Sequence, residues 1–101
     1  MDFELMECAG SYLEHSGYEL VGDCGGFIVA RKGGVLAFVV ASSNGAPRPA
    51  EYRERFGHES RRFLDENPEY GGLETRCDMF VMKPWKERML VRYYENVGGA
   101  A

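Results

Sequence analysis

Apolar residues recur at intervals of three and four from the start of the chain, at Phe3, Met6, Ala9 and Leu13. That spacing predicts an amphipathic helix to about Ser16, with Asp2 as its N-cap. Gly17 suits the left-handed residue that ends many helices, and Tyr18 can then fold back on the last turn. A short strand over 18–21 follows, with Gly22-Asp23 as a turn. The runs 27–31 and 35–41 are apolar without alternation, as in central strands covered on both faces. SSNGAPRP, residues 42–49, reads as a loop. A second helix is predicted over 50–66, with Tyr52, Phe56, Phe63 and Leu64 along one face; Gly57 weakens it by roughly 1 kcal/mol. Residues 74–82 alternate, with Cys77, Met79 and Val81 on one face and Arg76, Asp78 and Phe80 on the other. KPWKE, residues 83–87, reads as a turn, and 88–94 alternate again as a last strand. The order helix, three strands, helix, two strands predicts an α/β fold with helices packed on a mixed sheet. One domain over 1–96 and a loose tail over 97–101 account for the chain.

Composition narrows this picture without redirecting it. The 101 residues are 45% hydrophobic and 28% charged, an ordinary globular balance. Cys8, Cys24 and Cys77 are scattered, odd in number and form no CxxC pair, which opposes a disulfide framework or a zinc site and fits a reducing cytoplasm. His15 and His58 have no partner at metal spacing and read as surface residues. The N-terminus has no signal-peptide pattern, and the longest apolar stretch is far too short to span a membrane. Residues 1–23 hold six acids and no Lys or Arg, whereas the remainder is nearly balanced; the formal net charge is −4. A dedicated nucleic-acid binder usually has a strong basic excess, which is not seen here.

One stretch stands out. GGFIVARKGGVLAFVVASS, residues 25–43, reads as a hairpin with no acid in it, and its only cations, Arg31 and Lys32, flank the turn. Tyr12-Leu13 followed by Gly17-Tyr18, then Ala30-Arg31, then Leu36, Phe38 and Val39, then Arg76-Cys77-Asp78, resembles in order and spacing the YraN-like family of predicted endonucleases. The resemblance covers nearly the whole chain. It implies a restriction-endonuclease-like fold with the order α-β-β-β-α-β-β. It also places the family's Glu and Asp of the first hairpin strand on Gly25 and Phe27. The Glu and Lys of the second strand fall on Val40 and Ser42, and a Glu of the first helix falls near Met6, beside Glu7.

Phosphodiester cleavage in that fold needs carboxylate oxygens to hold Mg²⁺, and a cation beside the phosphate. Gly, Phe and Val supply neither. The expectation is therefore a pseudo-nuclease with no catalytic residue, metal or cofactor. Asp23 and Asp78 are the acids from which a metal site could be rebuilt; otherwise they are a turn residue and a hydrogen-bonded strand residue. Arg48, Arg53, Arg55, Arg61 and Arg62 lie on or near the second helix and are candidates for phosphate or partner contacts. The acids among them, in pairs such as Glu51 with Arg55 and Arg62 with Glu66, also suit a self-neutralised solvated face. Trp85, between Lys83 and Lys86, either anchors a partner or base, or folds back over the sheet. Three function classes remain: a protein-interaction or self-associating (homodimeric) module, a non-cleaving nucleic-acid binder, and a nuclease with a relocated site.

Overall fold

The computed structural model describes residues 3–43 and 49–97, without the side chains of residues 3 and 49–51. The order of elements is α1 (Phe3–His15), β1 (Glu19–Cys24), β2 (Phe27–Lys32), β3 (Val35–Ser42), α2 (Pro49–Glu66), β4 (Glu74–Trp85) and β5 (Arg88–Tyr94), with a short 3-10 turn at Pro68–Tyr70. The expected order is thus observed. The strands form one mixed sheet in the order β1-β2-β3-β4-β5. All neighbours are antiparallel except β3 and β4, which are parallel and joined through α2.

α1 ends as its sequence predicts. Gly17 adopts φ 92°, the Tyr18 N–H bonds the Leu13 carbonyl at 2.9 Å, and the Gly17 N–H bonds that of Glu14 at 3.1 Å. This paired closure satisfies carbonyls left over at the helix end. Leu5, Ala9 and Leu13 then bury one helix face against Ile28, Ala30, Ala37, Val39 and Phe80. The opposite sheet face carries Phe27, Val29, Leu36, Phe38, Val40, Cys77, Met79 and Val81 under Tyr52, Phe56 and Phe63 of α2. β2 and β3 are therefore sandwiched, which explains their unbroken apolar runs. α2 continues through Gly57. Among the described residues no helix is long and apolar enough to cross a membrane.

Four boundaries differ from the expectation. β1 runs through Gly22 and Asp23, because a bulge at Val21 absorbs the irregularity. The turn falls instead on Gly25 and Gly26, both at positive φ (54° and 89°), where a side chain would be strained. β4 continues through Lys83, Pro84 and Trp85, leaving only Lys86 and Glu87 as the hairpin turn. Pro84, opposite Met89 of β5, lies beyond Val81, the last β4 residue paired with β3, so the β3 side of the strand requires no ladder donor there. Val97, expected in the loose tail, donates its N–H to the Cys77 carbonyl at 2.8 Å. Asp2, residues 44–48 and residues 98–101 lie outside the described residues.

Candidate functional site

The hairpin positions at which the resemblance places acids lie together on the α2 face, whereas Met6, the first-helix position, packs on the opposite face with α1. Phe27 is fully buried and Val40 nearly so. Ile28 pairs with Val39, so one further step of the register sets Phe27 opposite Val40. Phe27 packs edge-on to Phe38, whose ring also meets Phe56 and Phe63 of α2. Ser42 is half-buried at the end of β3. Gly25 is filled from above, because a Cβ built there would run into the Glu59 carboxylate. At Gly26 a Cβ would stand 3.0 Å from the Arg55 guanidinium.

α2 thus lays a polar stripe over this end of the sheet. Arg55 stacks on the rings of Phe27 and Tyr52, at 4.9 and 5.4 Å from their centroids. Glu59 pairs with Arg62 at 2.8 Å, and the expected partner Glu66 adds a weaker charge interaction. Both reach the buried Cys24, whose thiol donates to the Glu59 carbonyl at 3.4 Å and lies 3.9 Å from Arg62 Nη2. Burial raises the thiol's pKa, Arg62 partly offsets this, and Glu59 adds to it. The net upward shift keeps Cys24 a protonated core residue, not a nucleophile. Its neighbours come from 35 and more positions away, so sequence proximity could not reveal them. Among the described residues, no three His, Cys, Asp or Glu side chains gather to hold a metal ion.

Asp78 does not complete this site. It lies on the α1 face, fully buried, in the row Asp23–Ile28–Val39–Asp78. Asp23 is exposed at the other end of that row, three strands and roughly 14 Å away at about 4.8 Å per strand. Asp78 instead accepts hydrogen bonds from Arg76 Nε and Nη2 (both 2.8 Å), from the Tyr93 hydroxyl, and from the Asn96 N–H at 2.9 Å. Arg76 also donates to the Tyr18 hydroxyl. The network ties the α1–β1 junction and the end of β5 to the middle of β4. Burial works against the Arg76 charge, but the Asp78 contacts outweigh it and raise its pKa.

Burial, followed by the hydrogen bond to Asp78, raises the Tyr93 phenol well above its ordinary 10.0. The folded chain therefore keeps a proton that the unfolded chain loses above about pH 10. Stability from this group is complete below that pH and falls as pH rises past it, by about 1.4 kcal/mol per unit. Urea midpoints measured from pH 8 to 11 should decline at the alkaline end, and Tyr93→Phe should remove this share of the decline. A variant whose profile parallels the wild type would exclude Tyr93 as the group.

The remaining candidates divide between two places. Arg53, Arg55, Arg61 and Arg62 are all exposed on α2. At 100° per residue, Arg55 and Arg62 share one flank while Arg53 and Arg61 lie towards the other, so the four form no single basic patch. Arg48 lies outside the described residues. His15 and His58 are exposed, as expected. Trp85 is 54% exposed at the tip of the β4–β5 hairpin, with the Lys86 ammonium 6.0 Å from its ring centroid. Below it, Met89 and Val91 on one face of β5 and Leu90 and Tyr94 on the other are also exposed. Met89 and Val91 join Cys8, Tyr12, Phe80 and Met82 in an apolar groove of about 440 Å³ between α1 and the hairpin. Tyr93 packs inward against Tyr12, with ring centroids 5.4 Å apart. No family model matches the chain, and no curated protein matches its sequence.

Proposed function

We propose that the chain is a pseudo-nuclease: a catalytically inert relative of the endonucleases its sequence resembles, acting as an interaction module through the β4–β5 hairpin. The observation that carries this reading is β5 itself. An outer strand with large apolar side chains exposed on both faces is the type of surface that proteins bury against a partner. The α2-covered end of the sheet supports the inert half of the reading. Phe27 and Val40 offer no oxygen ligand, and Glu59 is already held by Arg62. Incubation of the chain with duplex and branched DNA in Mg²⁺ or Mn²⁺ should give no cleavage. Cleavage that disappears in Glu59→Gln would overturn the reading and locate an active site beside Gly25.

A second reading, non-cleaving nucleic-acid binding, is favoured by Lys83, Lys86 and Arg88 around the exposed Trp85. Cations could hold phosphates there while the indole stacks on a base. Fluorescence anisotropy with labelled single-stranded and duplex DNA separates the two readings, because phosphate-driven binding weakens steeply with salt. An apolar contact does not.

A further inference from the structure

Resting on the interaction-module reading, we infer that the partner at the hairpin is a second copy of this chain. Its β5 pairs antiparallel with β5 around a two-fold axis through Val91, making the two sheets continuous. The two edges of the sheet are built differently. β1 is blunted by its bulge at Val21, by Gly22, and by the charges of Glu19 and Asp23. These are the usual devices that keep an edge from pairing. β5 has neither bulge nor glycine, and its only charges are Arg88 and Arg92. It holds a regular seven-pair ladder to β4, without Gly, Pro or bulge, and among the described residues no strand lies beyond it.

The side chains select the occupant. A two-fold axis normal to the sheet keeps directly opposed residues on the same face, so it passes through a residue and not between two. With the axis at Val91 all seven residues of RMLVRYY find a partner. Val91 meets Val91, Met89 meets Tyr93, Leu90 meets Arg92, and Arg88 meets Tyr94. Both arginines then face apolar or aromatic groups; beyond the strand, Glu87 of the turn stands opposite Glu95, which Arg76 of its own copy holds at 3.7 Å. Moving the axis to Leu90 sets Arg88 against Arg92, and moving it to Arg92 sets that residue against itself. Like charges directly opposed are destabilising, so over the seven strand residues this register avoids them and both adjacent ones do not. The same axis keeps both α1 helices on one side of the joined sheet and brings the two apolar grooves together at Met89 and Val91.

Sedimentation equilibrium over a micromolar concentration series tests this with three chains. The wild type should show a reversible monomer–dimer equilibrium that survives removal of nucleic acid. Val91→Lys and Val91→Glu each set like charges across the axis and should weaken dimerisation roughly tenfold or more. Both should keep the wild-type circular dichroism, because Val91 is 43% exposed. An equimolar mixture of the two should recover dimer, with Lys opposite Glu. A wild type that stays monomeric, a Val91→Lys dimer as tight as the wild type, or a mixture no tighter than its components would overturn the proposal. The DNA-cleavage assay, which tests the module reading, is independent of all three results.

Discussion

Asp78→Ala should come close to unfolding the protein, with a loss of about 3–5 kcal/mol. The carboxylate is fully buried and holds Arg76, Tyr93 and the Asn96 N–H at once. Its removal leaves a guanidinium whose side chain is 19% exposed, with Glu95, at 3.7 Å, as its remaining ion-pair partner among the described residues. It also takes an acceptor from the half-buried Tyr93 phenol, which keeps Tyr18 beside it, and from the N–H of the exposed Asn96, so these two add less than the roughly 1–3 kcal/mol of a fully buried unpaired donor. Set against the roughly 5–15 kcal/mol of a typical domain, this takes a large part of the total. Two controls separate the charge from the shape. Glu95→Ala removes the exposed partner of the same arginine and should cost less than about 1 kcal/mol. Arg76→Met combined with Asp78→Leu removes both buried charges and should be milder than Asp78→Ala alone. Urea denaturation of the four chains gives the comparison. An Asp78→Ala midpoint within error of that of Glu95→Ala would show that the network does not hold β5 to β4.

The same network illustrates what the sequence can express and what it cannot. Alternation along Cys77, Asp78 and Met79 correctly puts Arg76 and Asp78 on one face, because side-chain period is a local property of a strand. That Asp78 is buried depends on Tyr18 and Tyr93, brought in by α1 and β5, and no local pattern carries that. The first turn lies away from its expected dipeptide for a related reason. Gly22-Asp23 has turn chemistry, but the chain needs positive φ at Gly25 and Gly26, and the pairing of β1 with β2 decides between the two dipeptides. Pro84 reads as a strand breaker until it is seen to lie past the end of β3. The arginines of α2 read as a cluster along the chain, yet helical geometry spreads them to opposite flanks, and Glu59 engages Arg62. The apolar content of β5 is plain in RMLVRYY. Its meaning comes from topology, because the same residues on a central strand would be ordinary core.

Placing carboxylates at the positions suggested by the resemblance should destroy the fold, not create a nuclease. In the double variant Phe27→Asp, Val40→Glu, the first change removes a ring packed against Phe38 and capped by the Arg55 guanidinium. Loss of such a buried ring alone costs about 3–5 kcal/mol. The second change sets another acid opposite the first, on a face closed by Phe56 and Phe63. The glutamate must then stay protonated or remain charged without a partner, at several kcal/mol, and the Arg55 guanidinium above position 27 offsets only part of the same cost for the aspartate. The sum reaches the whole stability of a typical domain, so circular dichroism should show an unfolded chain at 25 °C. Phe27→Leu, which keeps the apolar character and much of the volume, should stay folded and lose only a small part of the stability. Adding Mg²⁺ provides the decisive comparison. If the site were merely vacant, with space and oxygen ligands in waiting, the metal would neutralise the new acids and return the melting transition. Phe38, Phe56 and Phe63 close that face and the Glu59 carboxylate stands over Gly25, so no recovery is expected. A double variant that folds on addition of Mg²⁺ would mean that α2 can lift from the sheet, and that the apolar packing beneath it is a reversible closure of a metal site.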